Sequence, residues 1–484
     1  MKPNQPILWS PYQQAIFRDI GEGIGNTVVI ARAGSGKSAT LIEGIKYIPK
    51  RKPQLKTLFL AFNKRVATDL EDRINRSYID ISTLHSYGCR TVMAAFGKVA
   101  IYPDKTLDIV KKLIEEAGVK LKNTERFNVI SSLIRVVGIC KNALIDTPTK
   151  IDALLDDHDI DTFELEREAF IKTVIRTLHQ CKLDKTRIDY GDMIYFPNVF
   201  GMPPVKTYDR VFIDEVQDLA AGQVNLALSA CKKGGRIIAV GDDRQTINHW
   251  NGVDLDAVNI LVKRLNAKVL PLPISYRCPK TVIKLAQEIV PDIQHASNAK
   301  EGEVLSMAED IFLSFVKPGD CIISRINAPL IYHCMELLRN KIPANIVGKD
   351  VAGGLIFMIK RSEAKTVPEF LEWLEKWKQS EIKRLTDKNR DPVLVIDKAT
   401  CLEYLCRGTK SLDQVQLNIR EMFSDDGEDK KNIVYLSSIH KFKGAEADTI
   451  YLLANTLKRG KDISEDNLVY VAWTRSKNTL VLVR

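Results

Sequence analysis

Residues 26–45 read NTVVIARAGSGKSATLIEGI, and no other stretch restricts the fold so tightly. The β-branched run NTVVIA suits a buried strand, SATLIEGIKYI carries apolar residues at helical spacing, and a loop with two glycines and a lysine lies between them. Strand, loop and helix in direct succession belong to an α/β fold, in which each strand hands over to a helix that crosses to the next parallel strand. In that setting the backbone N–H groups from Ala33 to Lys37 can point inward at phosphate oxygens. Gly34, Ser35 and Gly36 let the backbone approach, Lys37 reaches the terminal phosphates, and the Ser38 hydroxyl suits Mg²⁺. The usual pattern G-x-x-x-x-G-K-[ST] opens on glycine. Here Ala31 takes that place at the end of the strand, where a methyl group is expected to fit.

Two further strand ends carry acids. RVFIDEVQDLA (210–220) delivers Asp214 and Glu215 at the carboxyl end of an apolar run, where ligands sit in open α/β sheets. Asp214 is placed to hold Mg²⁺, and Glu215 to orient or deprotonate an attacking water. Gln217 and Asp218 make the stretch more specific than a chance acidic pair. RIIAVGDDRQT (236–246) ends in Asp242, Asp243 and Gln245.

Bulk composition limits the class. With 45% apolar and 27% charged residues the chain has an ordinary globular make-up, and 484 residues suit about three domain-sized units. The formal charge of +10 suits a polyanionic partner. No apolar run approaches the roughly 18 residues of a membrane span, and MKPNQPILWS has no signal-peptide hydrophobic region, so a cytoplasmic protein is expected. Nine scattered cysteines without a C-x-x-C pair fit reduced thiols rather than a disulfide frame or a metal site.

DEVQD followed by VGDDRQTINHW resembles the UvrD/Rep family of superfamily 1 DNA helicases, and further motifs follow in family order. SPYQQAIF (10–17) resembles the adenine-reading segment, which implies that Gln13 contacts the base edge. TLFLAFNKRVATDL (57–70) and STLHSYG (82–88) resemble two strand-contacting segments. ISYRCP (274–279) resembles the start of the second core domain, with Tyr276 stacked on adenine and Arg277 at the γ-phosphate. SSIHKFKGAEAD (437–448) resembles T-x-H-x-x-K-G-x-E with Ser438 for threonine, which places Glu446 on the ribose and His440 between nucleotide and strand. LVYVAWTRSKNTLVLV (468–483) resembles the final motif, with Arg475 as the arginine finger. Asn248 and Asn251 replace a tyrosine and an arginine of the family pattern, so one contact of that segment is in question.

The resemblance implies an α/β fold with two RecA-like P-loop NTPase core domains built on parallel sheets, each interrupted by a mostly helical insertion. The first, ATP-binding core is expected over 1–88 and 200–276, with its helical insertion over 89–199. The second core is expected over 277–360 and 432–484, with a reduced helical insertion over 361–431. In EFLEWLEKWKQSEIKRL, Trp373 and Trp377 at i, i+4 make a packing face. The chain ends nine residues beyond Arg475, which suggests a compact motor without an attached nuclease.

The function implied is an ATP-dependent 3′→5′ DNA helicase or translocase that hydrolyses ATP, with Mg²⁺, in the cleft between the two cores. Polarity comes from the resemblance alone. Lys37, Glu215, Gln245, Arg277 and Arg475 are the expected catalytic residues. Phe62, Asn63, Thr83, His85, Tyr87, His249, Trp250 and His440 are the expected nucleic-acid contacts, because rings that stack on bases without reading them suit a translocating motor. Taken singly, Phe62 or Tyr87 fits a core aromatic equally well. The partners expected are single-stranded DNA and its junctions with duplex, and replication, repair or defence proteins. No membrane is expected, and the chain is expected to act as a monomer on DNA. RNA remains open as a substrate. Two other readings stand beside this one: a DNA-stimulated ATPase subunit with little unwinding of its own, and a small-molecule kinase or nucleotide switch.

Overall fold

The computed structural model describes residues 8–484 apart from 51–52, 62–63, 75–77, 119–120, 122, 159, 164, 248–251, 388 and 425–431. It divides into two compact units, Met1–Pro273 and Ile274–Arg484.

The first unit is built on six parallel strands: β1 (Thr27–Ala31), β2 (Thr57–Ala61), β3 (Ile79–Thr83), β4 (Tyr208–Ile213), β5 (Cys231–Gly241) and β6 (Lys268–Leu272). Their order across the sheet is β3-β2-β4-β5-β1-β6. Strands such as TVVIA and TLFLA are apolar without interruption because both faces of a parallel sheet are covered. Alternate residues serve opposite cores. Val28, Leu58, Leu60, Val211 and Ile213 pack on one face, and Val29, Phe59, Ala61, Phe212 and Val240 on the other. Phe59 and Phe212 stack across β2 and β4 with ring centroids 6.0 Å apart. The order sets the carboxyl ends of β4, β5 and β1 side by side, which positions the candidate site.

Between β3 and β4 lie the helices Leu84–Phe96, Lys105–Glu116, Asn123–Ala143, Pro148–Asp157, Arg167–Leu183 and Tyr190–Val199, with a two-residue ladder of Ala100–Ile101 on Arg187–Ile188. They close around their own core, which includes Val110, Leu133, Val137, Leu155, Phe170 and Phe196. A buried polar group sits among them. Lys105 Nζ lies 2.8 Å from Asp192 Oδ2, and Lys141 Nζ lies 2.7 Å from Asp189 Oδ2 and 2.8 Å from Asp192 Oδ1. Asp189 and Asp192 also form the capping box of helix Tyr190–Val199.

The second unit has seven parallel strands: β7 (Glu303–Met307), β8 (Cys321–Ser324), β9 (Ala344–Val347), β10 (Phe423–Ser424), β11 (Val434–Ser438), β12 (Ala447–Leu453) and β13 (Ser476–Val483). Their order is β7-β13-β12-β8-β11-β9-β10. Four helices, Lys349–Arg361, Val367–Asp387, Val393–Cys406 and Leu412–Met422, lie between β9 and β10. They share one core with the sheet: Phe370, Leu402 and Ile419 pack in the same cluster as Val434, Leu436 and Val481. Trp373 and Trp377 stack at 6.4 Å and lie against that core. Asp397 ties these helices to the sheet layer by accepting the N–H groups of Asn327 at 3.0 Å and Ala328 at 2.6 Å, at the start of helix Ala328–Arg339. The fold is therefore α/β with two parallel sheets, consistent with two RecA-like cores.

Candidate functional site

The loop after β1 turns through two left-handed glycines, Gly34 at φ +70° and Gly36 at φ +79°. Only glycine takes these angles without strain, and Gly36 then caps helix Lys37–Gly44. Ala31 is fully buried among the sheet's core residues, so a methyl is accommodated at that position. Ser35 Oγ is buried with no hydrogen-bond partner among the described residues, a polar atom left over for a ligand. Gln13 is 3% exposed. Its Oε1 accepts the Ser10 N–H at 3.0 Å, and its Nε2 donates to Thr40 Oγ1 at 3.0 Å, which links the first helix to the phosphate-loop helix.

The strand ends meet this loop. Lys37 Nζ donates to Glu215 Oε2 at 2.5 Å, and Ser38 Oγ donates to Asp214 Oδ2 at 3.1 Å. Gln217 Nε2 donates to the same Glu215 oxygen at 2.5 Å, while Gln217 Oε1 accepts the Asp242 N–H at 3.1 Å. Gln245 Nε2 donates to Asp242 Oδ2 at 2.6 Å. From the phosphate loop, Arg32 Nη1 reaches Asp242 Oδ1 at 3.2 Å and Asp243 Oδ1 at 2.5 Å. Glu215 holds φ +52°, a left-handed conformation that is costly for a glutamate.

Charge in the site is unbalanced toward acid: Asp214, Glu215, Asp242 and Asp243 face Lys37 and Arg32. Burial, reinforced by the Glu215 carboxylate, pushes the Asp214 carboxyl up to about 6. Burial likewise raises Asp242 against the pull of Arg32 and Lys37. Burial alone would lower Lys37, but Glu215, Asp214 and Asp242 outweigh it and keep the ammonium charged. This environment fits a hard divalent cation, and Ser38 and Asp214 supply the oxygen donors that Mg²⁺ takes.

The remaining expected residues fall into three groups. In the second unit, Arg277 Nε donates to Glu446 Oε2 at 2.6 Å, so the residues expected at the γ-phosphate and the ribose are paired with each other. Tyr276 is 48% exposed, whereas Arg475 is 2% exposed and donates from Nε to Val471 O at 3.0 Å. His440 lies in the short helix Ile439–Phe442 after β11, which Ser438 caps. Among the expected strand contacts of the first unit, Thr83 ends β3 and caps helix Leu84–Phe96 by accepting the Ser86 N–H at 3.2 Å. His85 is half-buried, and burial lowers its pKa, which keeps the imidazole neutral. Tyr87 requires correction: it is 2% exposed, packs in the core under the sheet and donates its hydroxyl to Lys206 O at 2.9 Å, so its ring has no face for a base. Phe62, Asn63, His249 and Trp250 lie outside the described residues.

Three residues of the site were not singled out for a role from sequence: Arg32, Gln217 and Thr40. The available signals were a lone arginine inside the phosphate loop matched by consecutive aspartates at 242 and 243, and the glutamine two residues after Glu215.

Comparison with known proteins agrees with this geometry. Residues 11–265 match the UvrD/REP helicase N-terminal domain, and residues 433–483 match the UvrD-like helicase C-terminal domain. The chain is 23% identical over 306 residues to the ATP-dependent DNA helicase PcrA of Bacillus subtilis, an alignment covering 57% of this chain and 38% of that protein. It is 24% identical over 284 residues to PcrA of Staphylococcus aureus, covering 55% of this chain and 38% of that protein. To the F-box DNA helicase protein 1 of Schizosaccharomyces pombe it is 24% identical over 527 residues, covering 94% of this chain and 55% of that protein. The chain thus spans less than two thirds of the length of each of these relatives. Because the first domain match takes in more than half of the residues and contains the whole phosphate loop with both acidic strand ends, the chain belongs to the UvrD/REP helicase family.

Proposed function

We propose that this chain hydrolyses ATP and uses the energy to move 3′→5′ along single-stranded DNA, separating strands at a duplex junction. The observation that carries the reading is the joining of Lys37, Glu215, Gln217 and Asp242 into one hydrogen-bonded set at three adjacent strand ends. The relatives are named ATP-dependent DNA helicases, which supports the substrate class.

In this reading the backbone from Ala33 to Lys37 receives the phosphates, and the Lys37 ammonium exchanges its bond to Glu215 for one to the terminal phosphate. Glu215, released, orients the attacking water and accepts its proton, while Gln217 keeps the carboxylate aimed. Mg²⁺ held by Ser38 and Asp214 would neutralise charge on the phosphates. Gln13 and Tyr276 address the adenine and Glu446 the ribose, so Glu446 must leave Arg277 as nucleotide binds. Arg277 and Arg475 then stabilise the charge that develops in the transition state, a contribution of about 10³ to 10⁵ in rate for an arginine in related phosphoryl transfers. Thr83, His85 and His440, with the segments holding Phe62, Asn63, His249 and Trp250, contact the strand. Replication, repair or recombination is the setting proposed, with the chain acting as a monomer on DNA in the cytoplasm.

The test is ATP hydrolysis by the purified chain with and without single-stranded DNA, together with unwinding of duplexes bearing a 3′ or a 5′ tail. Strong stimulation with release of the 3′-tailed duplex alone is expected. Stimulation without release would assign a translocase that needs a partner, and turnover indifferent to nucleic acid would remove the motor reading.

A further inference from the structure

Thr40 stands in the first turn of helix Lys37–Gly44 and is 1% exposed. Its hydroxyl donates to Gly36 O at 2.9 Å, four residues back, so on its other side the oxygen can only accept. What it accepts is the Gln13 Nε2–H, at 3.0 Å. The opposite end of the same amide faces donors: the Ser10 N–H reaches Gln13 Oε1 at 3.0 Å, and the Ser10 hydroxyl donates to it at 3.1 Å. Turning the amide over would set Nε2–H against Ser10 N–H and make the Thr40 hydroxyl give up Gly36 O. Gln13 and Thr40 are both buried, so water does not make good those losses.

The backbone that carries Gln13 is fixed as well. Ser10 caps helix Pro11–Glu22, and near the helix's far end Arg236 of β5 donates to Asp19 O at 2.7 Å, to Asp19 Oδ2 at 2.9 Å and to Gly25 O at 2.6 Å. The amide lies beside the phosphate loop: a Cβ on Gly36 would stand 3.9 Å from Gln13 Nε2. A base addressed by Gln13 therefore meets an amide whose nitrogen and oxygen have set places. That order matters to a purine. Adenine presents an amino donor at N6 beside the acceptor N7, which an amide matches with its oxygen to N6 and its nitrogen to N7. Guanine carries the acceptor O6 in place of the amino group, so the same amide turns its oxygen toward another acceptor.

We infer that Thr40 is a positioning residue that sets base specificity through Gln13: by accepting from Nε2 it holds the amide in the orientation that matches adenine and opposes guanine. The inference rests on the reading above, in which Gln13 addresses the base.

The experiment measures kcat/KM for ATP and for GTP, with a single-stranded oligonucleotide present throughout, in wild type, Gln13→Ala, Thr40→Val and Thr40→Ser. Valine keeps the branched shape and removes the acceptor, while Gly36 O retains the backbone N–H of position 40, which it accepts at 2.8 Å. Both nucleotides are measured on one preparation, so a reduced folded fraction cancels from the ratio. Expected for Thr40→Val is a fall of about fivefold in the ATP-over-GTP ratio, the worth of one neutral hydrogen bond, with Thr40→Ser within about twofold of wild type. A ratio in Thr40→Val that is unchanged or higher overturns the inference. So does an equal loss for both nucleotides, which would make the hydroxyl a support of the helix only. Gln13→Ala is read first: a wild type indifferent to the base, or a preference for ATP that survives loss of the amide, removes the reading of Gln13 itself.

Discussion

Glu215 illustrates how one side chain can be prepared for chemistry at the expense of its backbone. Its φ of +52° lies in the region that costs a residue with a Cβ about 1 to 2 kcal/mol, and the position is maintained by the bond of its N–H to Asp214 Oδ1 at 2.9 Å and by Lys37 and Gln217 on its carboxylate. Glu215→Gln keeps the size and the backbone angle while removing the proton acceptor. Its turnover should fall by about 10² to 10⁴ with ATP binding retained. Lys37→Ala should lose at least about 10² in turnover and weaken ATP binding as well, because it removes the cation from both the ground state and the transition state. Phosphate release and the binding of a fluorescent ATP analogue separate the two, and normal hydrolysis by either variant would overturn the site assignment. The phosphate-loop residues and the two acids could be named from sequence because their spacing is local. Arg32 could not be assigned, since its partner Asp242 lies 210 positions along the chain. Tyr87 shows the converse: the resemblance of STLHSYG to a strand-contacting segment implied that it meets the nucleic acid, but packing buries the ring in the core.

Among the elements, the joint between the first core and its helical insertion depends on two helices that touch through a glycine. A Cβ on Gly88 of helix Leu84–Phe96 would lie 1.9 Å from Met193 O on helix Tyr190–Val199. The obstacle is backbone, so the helices must part. Gly88→Ala should therefore destabilise by about 1 to 3 kcal/mol, read as a lower midpoint of thermal unfolding, and an unchanged midpoint would show that the helices can slide apart freely. Deeper in the insertion, Lys141→Met leaves Asp189 and Asp192 with Lys105 as their nearby cation and should cost about 3 to 5 kcal/mol. Adding Asp189→Asn should return a large part of that loss, because a neutral pair no longer carries an unpaired buried charge. Sequence periodicity made the helices between β3 and β4 readable, and likewise the uninterrupted apolar strands. It left the two-residue ladder of Ala100–Ile101 on Arg187–Ile188 invisible, since two residues carry no period. Nor could periodicity say what each apolar helix face meets: the helices between β3 and β4 enclose a core of their own, while those between β9 and β10 join the core of their sheet.

For the whole molecule, the net charge of +10 gains a function only when set against the family. A motor that steps along a strand must hold it without reading it, and phosphate contacts from lysine and arginine supply such binding. Stacking adds affinity that salt hardly touches, so the two contributions separate when ionic strength is varied. If about five phosphates are neutralised, affinity for an oligonucleotide should fall roughly 100-fold between 50 and 200 mM salt, with a log–log slope near −3.5 for a single strand. ATP affinity without DNA should change far less over that range, because Asp214 and Asp242 are buried and the Lys37 side chain is only 13% exposed, where screening is weak. Fluorescence anisotropy of a labelled oligonucleotide across a salt series measures the slope directly. A slope near zero would mean that the basic excess is spread over surfaces the strand never meets, and binding would then have to rest on the aromatic contacts alone.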